Sequence, residues 1–420
     1  MISRPSRLSV ASWILYDLAN TIFSMNIISL YFALWVTVDK GGRDILYSVV
    51  LSGSMLVVAI SMPVFGAISD ITGKRRGPLS LLTFICCCAV ALIELTDELF
   101  VGLFLFFIAN YCYQSSMVFY NGMLPDVARG RNIGLVSGLG VGAGYLGSIV
   151  GLITVKPFVA ERGRTAAFIP TALMFLVFAL PCFIMNRDPI RKNPEPTNWR
   201  QAFGMLKKTF REVKKYRYLA KFICVHFLVL DVVNTVISFM SVYAHKVIGF
   251  DDTEINSFMI FATLAAMFGS LGLGWLVKTK GSHWTYSFVL MIWVITLSIT
   301  ALSQNEAMFW LVGPLAGVGM GGVWVVSRTF LIELCPPDKI GEFFGLYGMA
   351  GKIASIIGPL LWGSTTLIFE NTETFKYRAA IILLLLFALV ATGVYRSLLL
   401  DLQKTTRSFD KSVDKPSLPH

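Results

Sequence analysis

Two copies of one short pattern carry the first chemistry in this chain: Asp17-Leu-Ala-Asn20-Thr21 and Asp231-Val-Val-Asn234-Thr235. Residues three apart on a helix share a face, so each copy offers a carboxylate beside an amide. Such a pair can bind a proton, a cation or a substrate ammonium. Its purely structural use would be to pin one helix against the next. Both copies lie within long apolar runs, where an ionisable group is costly enough to be a functional candidate by default. Their pairing and their depth favour function: Asp17 lies roughly 10 Å into its run and Asp231 near the middle of its own.

Further candidates follow the same logic. Asn110, Gln114, Tyr120 and Asn121 form a polar stripe at roughly helical spacing. Such a stripe serves equally as glue between helices and as cavity lining. Lys352 lies about 16 Å into its run, too deep to reach water easily, and needs an acidic partner or an anionic ligand. Arg328, with Glu333 beyond it, lies nearer the end of its run, where a gate ion pair and substrate binding are both open. Gly142-Ala-Gly144-Tyr-Leu-Gly147 and Gly317-Val-Gly319-Met-Gly321-Gly322 satisfy G-x-G-x-x-G, but neither follows a strand, so the dinucleotide reading lacks its context. The chain has no G-x-x-x-x-G-K-[ST] and hence no ATP-driven engine. Its seven cysteines form no C-x-x-C pair and lie mostly in apolar runs, and its four histidines are scattered. We therefore expect no metal site and no cofactor, and no constellation for a membrane-embedded enzyme.

These residues must be held by elements that suit lipid. Hydrophobic residues make up 55% of the chain and charged ones 15%, against about 25% charged in a soluble domain. With about 20 apolar residues per crossing, the sequence predicts spans near 10–36, 46–69, 78–95, 99–122, 133–155, 166–186, 219–246, 255–277, 284–303, 307–333, 341–367 and 376–400. The first run, preceded by Arg4 and Arg7, is too long for a signal peptide and is read as a retained helix. With the N-terminus inside, 26 Lys and Arg fall on the inner side and eight on the outer, while Arg328 and Lys352 lie within spans. The positive-inside rule then places both termini in the cytoplasm. The net charge of +11 marks topology and attraction to anionic headgroups, not nucleic acid.

The spans repeat. Gly134, Gly138, Gly144, Ser148 and Gly151 match Gly341, Gly345, Gly351, Ser355 and Gly358 at a constant offset, and Gly66 and Gly73 match Gly274 and Gly281. Two copies of six spans share one orientation, so the halves are related by a pseudo-two-fold along the membrane normal. The expected organisation is a six-helix half at 1–186, a proline-broken and basic central loop at 187–218, a second half at 219–400 and a tail at 401–420. The two Asp-x-x-Asn faces are then expected to look at each other across a central cavity.

Gly66-Ala-Ile-Ser-Asp70-Ile-Thr-Gly73-Lys74-Arg75-Arg76 resembles the cytoplasmic signature loop of the major facilitator superfamily. That resemblance implies an all-α fold of twelve helices and a gate between the halves built on Gly66, Asp70, Gly73 and Arg75. Lys278 stands where the second half would carry the matching aspartate, so no symmetric latch is expected there. Trp13-Ile-Leu-Tyr16-Asp17, Tyr120-Asn121-Gly-Met-Leu124-Pro125-Asp126, Gly322-Val-Trp-Val-Val-Ser327-Arg328, Pro336-Pro337 and Gly351-Lys352 through Gly358-Pro359 look like the vacuolar amino-acid effluxer family and its bacterial relatives. This implies a secondary transporter working by alternating access, with amino-acid export and proton coupling as the narrower expectation. Asp17 and Asp231, assisted by Asn20 and Asn234, are the expected proton- or substrate-responsive groups. Lys352 and Arg328 are the expected partners of an anionic group. Other readings keep the fold with a drug, metabolite or metal chelate as cargo, or make the chain a receptor or scaffold. A monomer in a bacterial cytoplasmic membrane is expected, with a small solute, a proton and lipid as its partners.

Overall fold

In a computed structural model, residues 6–188 are described apart from 43 and 131, together with residue 204 and residues 216–413 apart from 251. Among them, twelve helices are long and apolar enough to cross a membrane. They are α1 (Arg7–Leu34), α2 (Val49–Thr72), α3 (Arg76–Glu94), α4 (Leu99–Val127), α5 (Asn132–Arg162), α6 (Arg164–Met185), α7 (Arg217–Ile248), α8 (Ser257–Lys280), α9 (Ser282–Leu302), α10 (Glu306–Leu334), α11 (Ile340–Ile368) and α12 (Phe375–Lys404). The chain is thus an integral, multi-pass membrane protein. Helices are the form in which a spanning segment satisfies its own backbone, and each expected span is met by one of them. Most of the central loop, with its basic stretch, lies outside the described residues. Residues 401–413, assigned to a tail above, instead continue the last helix, which runs Phe375–Val413.

Contacts at the helix ends fix the alternation. On the side where α1 begins, here the terminal face, Ser9 Oγ donates to Asn186 after α6, Lys221 at the start of α7 meets Asp401 at 2.8 Å, and Ser282 donates to Glu333. On the far face Lys40 meets Asp97 at 3.0 Å, and Arg378 donates to the carbonyl oxygens of Ala301 and Ser303. Two large apolar cores form, one from residues of α1 to α6 and one from α7 to α12 together with Val141 of α5. In the first, Trp13 stacks on Tyr120 with ring centroids 4.5 Å apart, and its indole N–H donates to the Tyr120 carbonyl.

The halves meet along two seams made of the glycines that revealed the repeat. A Cβ on Gly66 of α2 would collide with the carbonyl oxygen of Gly341 in α11, and one on Gly345 would lie 2.5 Å from the Met62 oxygen. In the mirrored seam, a Cβ on Gly274 of α8 would lie 2.9 Å from the Gly134 oxygen of α5, and one on Gly138 would lie 2.6 Å from the Ser270 oxygen. Small residues let backbones approach this closely in lipid, where packing rather than the hydrophobic effect holds helices together. Gly73 and Gly281 end α2 and α8 at positive φ, 67° and 89°, a conformation glycine adopts without strain.

Symmetry fails where α7 meets α11. In the first half, a Cβ on Gly144 of α5 would lie 2.7 Å from Thr21 Oγ1 and 3.5 Å from the Asp17 carbonyl of α1. Its repeat partner Gly351 does not meet Asp231 and Thr235 but Leu230; Gly358, seven residues further on, faces Asp231 and Thr235. Helix α7 therefore lies two turns, about 10 Å, further from the terminal face along α11 than α1 does along α5.

A charge ladder at the floor of a central cavity

Between the halves lies a cavity of about 440 Å³. Helical periodicity selects its walls. From α7 come His226, Leu230 and Asn234, four residues apart; from α11, Phe344, Gly348 and Lys352; from α4, Gln114, Met117 and Asn121; from α1, Asp17, Asn20 and Ser24. Residues at this spacing stack on one face of a helix.

At the floor, Asp17 Oδ2 pairs with Arg328 Nη1 at 3.3 Å, joining α1 of one half to α10 of the other. Its other oxygen accepts from Asn20 Nδ2 at 3.0 Å, and Tyr113 donates its hydroxyl to Asn20 Oδ1 at 3.3 Å. The order Tyr113–Asn20–Asp17–Arg328 is a ladder in which Asn20 holds the carboxylate in place. Asp17 is 4% exposed and Arg328 6%, so the pair is almost dry. Removing one partner from such a pair typically costs about 3–5 kcal/mol, because an uncompensated charge is left behind.

Lys352 lines the same cavity, and its ammonium makes no ion pair or hydrogen bond with any described residue. The acidic partner left open above is thus not found among them. The charged lining residues are Asp17, Arg328 and Lys352, one carboxylate against two cations.

The second Asp-x-x-Asn copy divides. Asn234 lines the cavity, but Asp231 does not. Asp231 is fully buried at the contact with α11, where a Cβ on Gly358 would lie 3.2 Å from its carboxyl carbon; neither oxygen has a hydrogen-bond partner among the described residues. The expectation that the two aspartates face each other is corrected by the two-turn slip of α7. The polar stripe of α4 divides too. Gln114 and Asn121 line the cavity, whereas Asn110 donates to Ser54 Oγ at 2.6 Å and ties α4 to α2, and Tyr120 is locked against Trp13.

Below the cavity the signature-loop residues join the two halves at the terminal face. Asp70 accepts from the backbone N–H of Gly341 at 2.8 Å and of Glu342 at 2.7 Å, so a carboxylate of α2 caps the N-terminus of α11 across the halves. The partial positive charge of that helix end favours it. Arg75 reaches Asp126 at 2.7 Å, lies 3.5 Å from Asp70, and donates to Ser69 Oγ. Of the basic run, Arg75 alone is buried; Lys74 and Arg76 are exposed, as is Lys278 in the second half.

Several lining residues escaped the sequence reading: His226, Trp324, Tyr145, Tyr347 and three methionines. His226 is fully buried, stacks on Tyr347 with centroids 3.8 Å apart, and has no partner on either ring nitrogen among the described residues. Its spacing of eight from Asn234 puts both on one face and was the available signal.

Comparison with known proteins adds a family. The sequence matches the family described as Major Facilitator Superfamily over residues 18–359 and again over 253–418. It is 24% identical over 405 residues to YxiO of Bacillus subtilis, an uncharacterized MFS-type transporter, covering 90% of this chain and 93% of the relative. It is 23% identical over 356 residues to autophagy-related protein 22 of Saccharomyces cerevisiae, covering 71% and 66%. The structure of the human organic anion transporter MFSD10 shares the fold, with a TM-score of 0.76 at 14% identity over 94% of this chain and 100% of that one.

Proposed function

We propose, for a chain that belongs to the major facilitator superfamily and is a secondary transporter by family and fold, that it carries small carboxylate-bearing solutes by rocking its halves about the central cavity. The observation that carries this reading is the Asp17–Arg328 pair, a dry ion pair that joins the two halves directly beneath the cavity. Opening the terminal face must break it, together with the Asp70 bonds to α11. The ladder is therefore a latch whose strength depends on what enters the cavity. With the positive-inside rule placing the terminal face in the cytoplasm, the structure is the form closed to the cytoplasm.

Amino-acid export is the narrower reading. The resemblance to the vacuolar amino-acid effluxers supports it, and so does a cavity that offers Lys352 to a carboxylate. Proton coupling is read from Asp17, whose pairing with Arg328 across the halves must break when the terminal face opens, leaving the carboxylate free to take a proton. The test uses proteoliposomes preloaded with an equimolar mixture of amino acids, with release followed by mass spectrometry with and without a pH gradient. We expect selective, gradient-dependent release from the wild type and its loss in Asp17→Asn. Equal, gradient-independent release by both proteins would overturn the reading.

A further inference from the structure

The charge of the cavity narrows the cargo. Its lining holds one carboxylate and two cations, and Arg328 already neutralises Asp17. What is left is the ammonium of Lys352, about 18 Å beyond the start of α11. It has no counter-charge among the described residues, in a site walled by Trp324, Tyr145, Phe344 and Tyr347. An uncompensated charge in low dielectric is costly unless paired. A ligand that restores neutrality must bring one negative charge.

We infer that the cavity selects a small organic anion of net charge −1, with its carboxylate seated on Lys352. The inference rests on the reading that cargo binds in this cavity, and it deepens that reading by fixing the charge class. A neutral zwitterion leaves the lysine's excess charge in place, and an amine doubles it. A phosphate monoester carries about −1.5 to −2 at neutral pH and overshoots. Beyond the anchor, the aromatic wall takes an apolar body. Asn121 Oδ1, buried and without a partner among the described residues, can accept from one donor group of the ligand. Two kinds of compound share this chemistry: an amine-free carboxylate with an apolar body, and an acidic amino acid.

The test measures melting temperature on the full chain purified in detergent, since a ligand that binds only the folded state raises it by an amount that grows with the logarithm of ligand concentration over its Kd. The probes are 3-phenylpropanoate and 4-methylpentanoate, glutamate, phenylalanine and leucine, and phenethylamine. We expect stabilisation by monoanions and none by the zwitterions or the amine. Phenylpropanoate without glutamate assigns the amine-free class, and glutamate alone assigns the acidic amino acids. In Lys352→Gln the affinity for the effective monoanion should fall at least tenfold, while Lys352→Arg keeps it within about threefold; the unliganded melting curves report whether each variant folds. If Lys352→Gln does not fold, the charge preference of the wild type and of Lys352→Arg decides. Three results would overturn the inference: stabilisation by a zwitterion or the amine as strong as by any monoanion, undiminished binding in folded Lys352→Gln, or no stabilisation by any monoanion. Release of neutral amino acids from the proteoliposomes above, with any of these, would leave the transporter standing and remove only the charge assignment.

Discussion

The seal at the terminal face can be loosened by a single methyl group. Gly66→Ala places a Cβ against the Gly341 carbonyl oxygen, within 2.6 Å of its carbonyl carbon and 3.1 Å of Glu342 Cα. All three obstacles are backbone, so no rotamer change relieves the clash and α2 must retreat from α11. That retreat also stretches the bonds from Asp70 to the Gly341 and Glu342 N–H groups. Overpacking of this kind costs about 1–3 kcal/mol. Here the cost falls on the closed form alone, which shifts the balance towards the opened form by about 5- to 150-fold. The chain carries its own reporter. Cys335, in the connection between α10 and α11, is 8% exposed. Burial, and then the carboxylates of Asp70, Glu342 and Asp338, push its thiol above the ordinary range. Since the thiolate is the reactive species, closure suppresses alkylation twice, by access and by ionisation. In a variant keeping Cys335 as its one cysteine, Gly66→Ala should raise the rate of maleimide labelling at pH 7.5 at least fivefold. A labelling rate within twofold of the parent, in protein that melts cooperatively at the parent temperature, would refute the idea that these glycines seal a gate.

Two further outcomes test the ladder and the slipped aspartate. Arg328→Gln should destabilise the fold by about 3–5 kcal/mol, read as a lowered melting temperature. Adding Asp17→Asn should recover much of that loss, and additive losses would show that the two side chains do not act as a pair. Asp231→Asn should change stability by less than about 1 kcal/mol, since neither carboxyl oxygen has a described partner to lose. A larger drop in its thermal or denaturant midpoint would mean that the carboxylate has a bonding role.

Twelve helices, two halves and the seam glycines were legible because each rests on a local rule: apolar run length, charge asymmetry between connections, and a repeated spacing of small residues. The floor of the cavity was half legible. Asp17 and Asn20 could be named from a three-residue spacing, and Lys352 from its depth. That Arg328 would be the partner of Asp17 could not be read, because the two lie more than three hundred positions apart and neither sequence context refers to the other. Asp231 misled for a physical reason. The Asp-x-x-Asn copies match letter for letter, but the register of α7 on α11 is set by which glycine its threonine meets, Gly358 rather than Gly351. Asn110 and Gln114 show the same limit at smaller scale: one turn apart in one stripe, they point to a Ser54 hydroxyl and to the cavity respectively.

The seams have a consequence for how such a gate meets water. Side chains contribute little where Gly66 lies on Gly341 and Gly138 on Gly274; what touches is peptide backbone. When these surfaces part, each exposes carbonyl oxygens that water can hydrate at once, beside a few apolar side chains such as Val277 against Gly134 and Met62 against Gly348. The opening resembles two damp plates sliding apart more than a cork leaving a bottle. Much of the resistance then lies in nameable polar bonds, among them those of Asp70 to α11, of Asp17 to Arg328 and of Ser137 to the Val325 carbonyl. A transporter built this way can tune its rate at those two carboxylates.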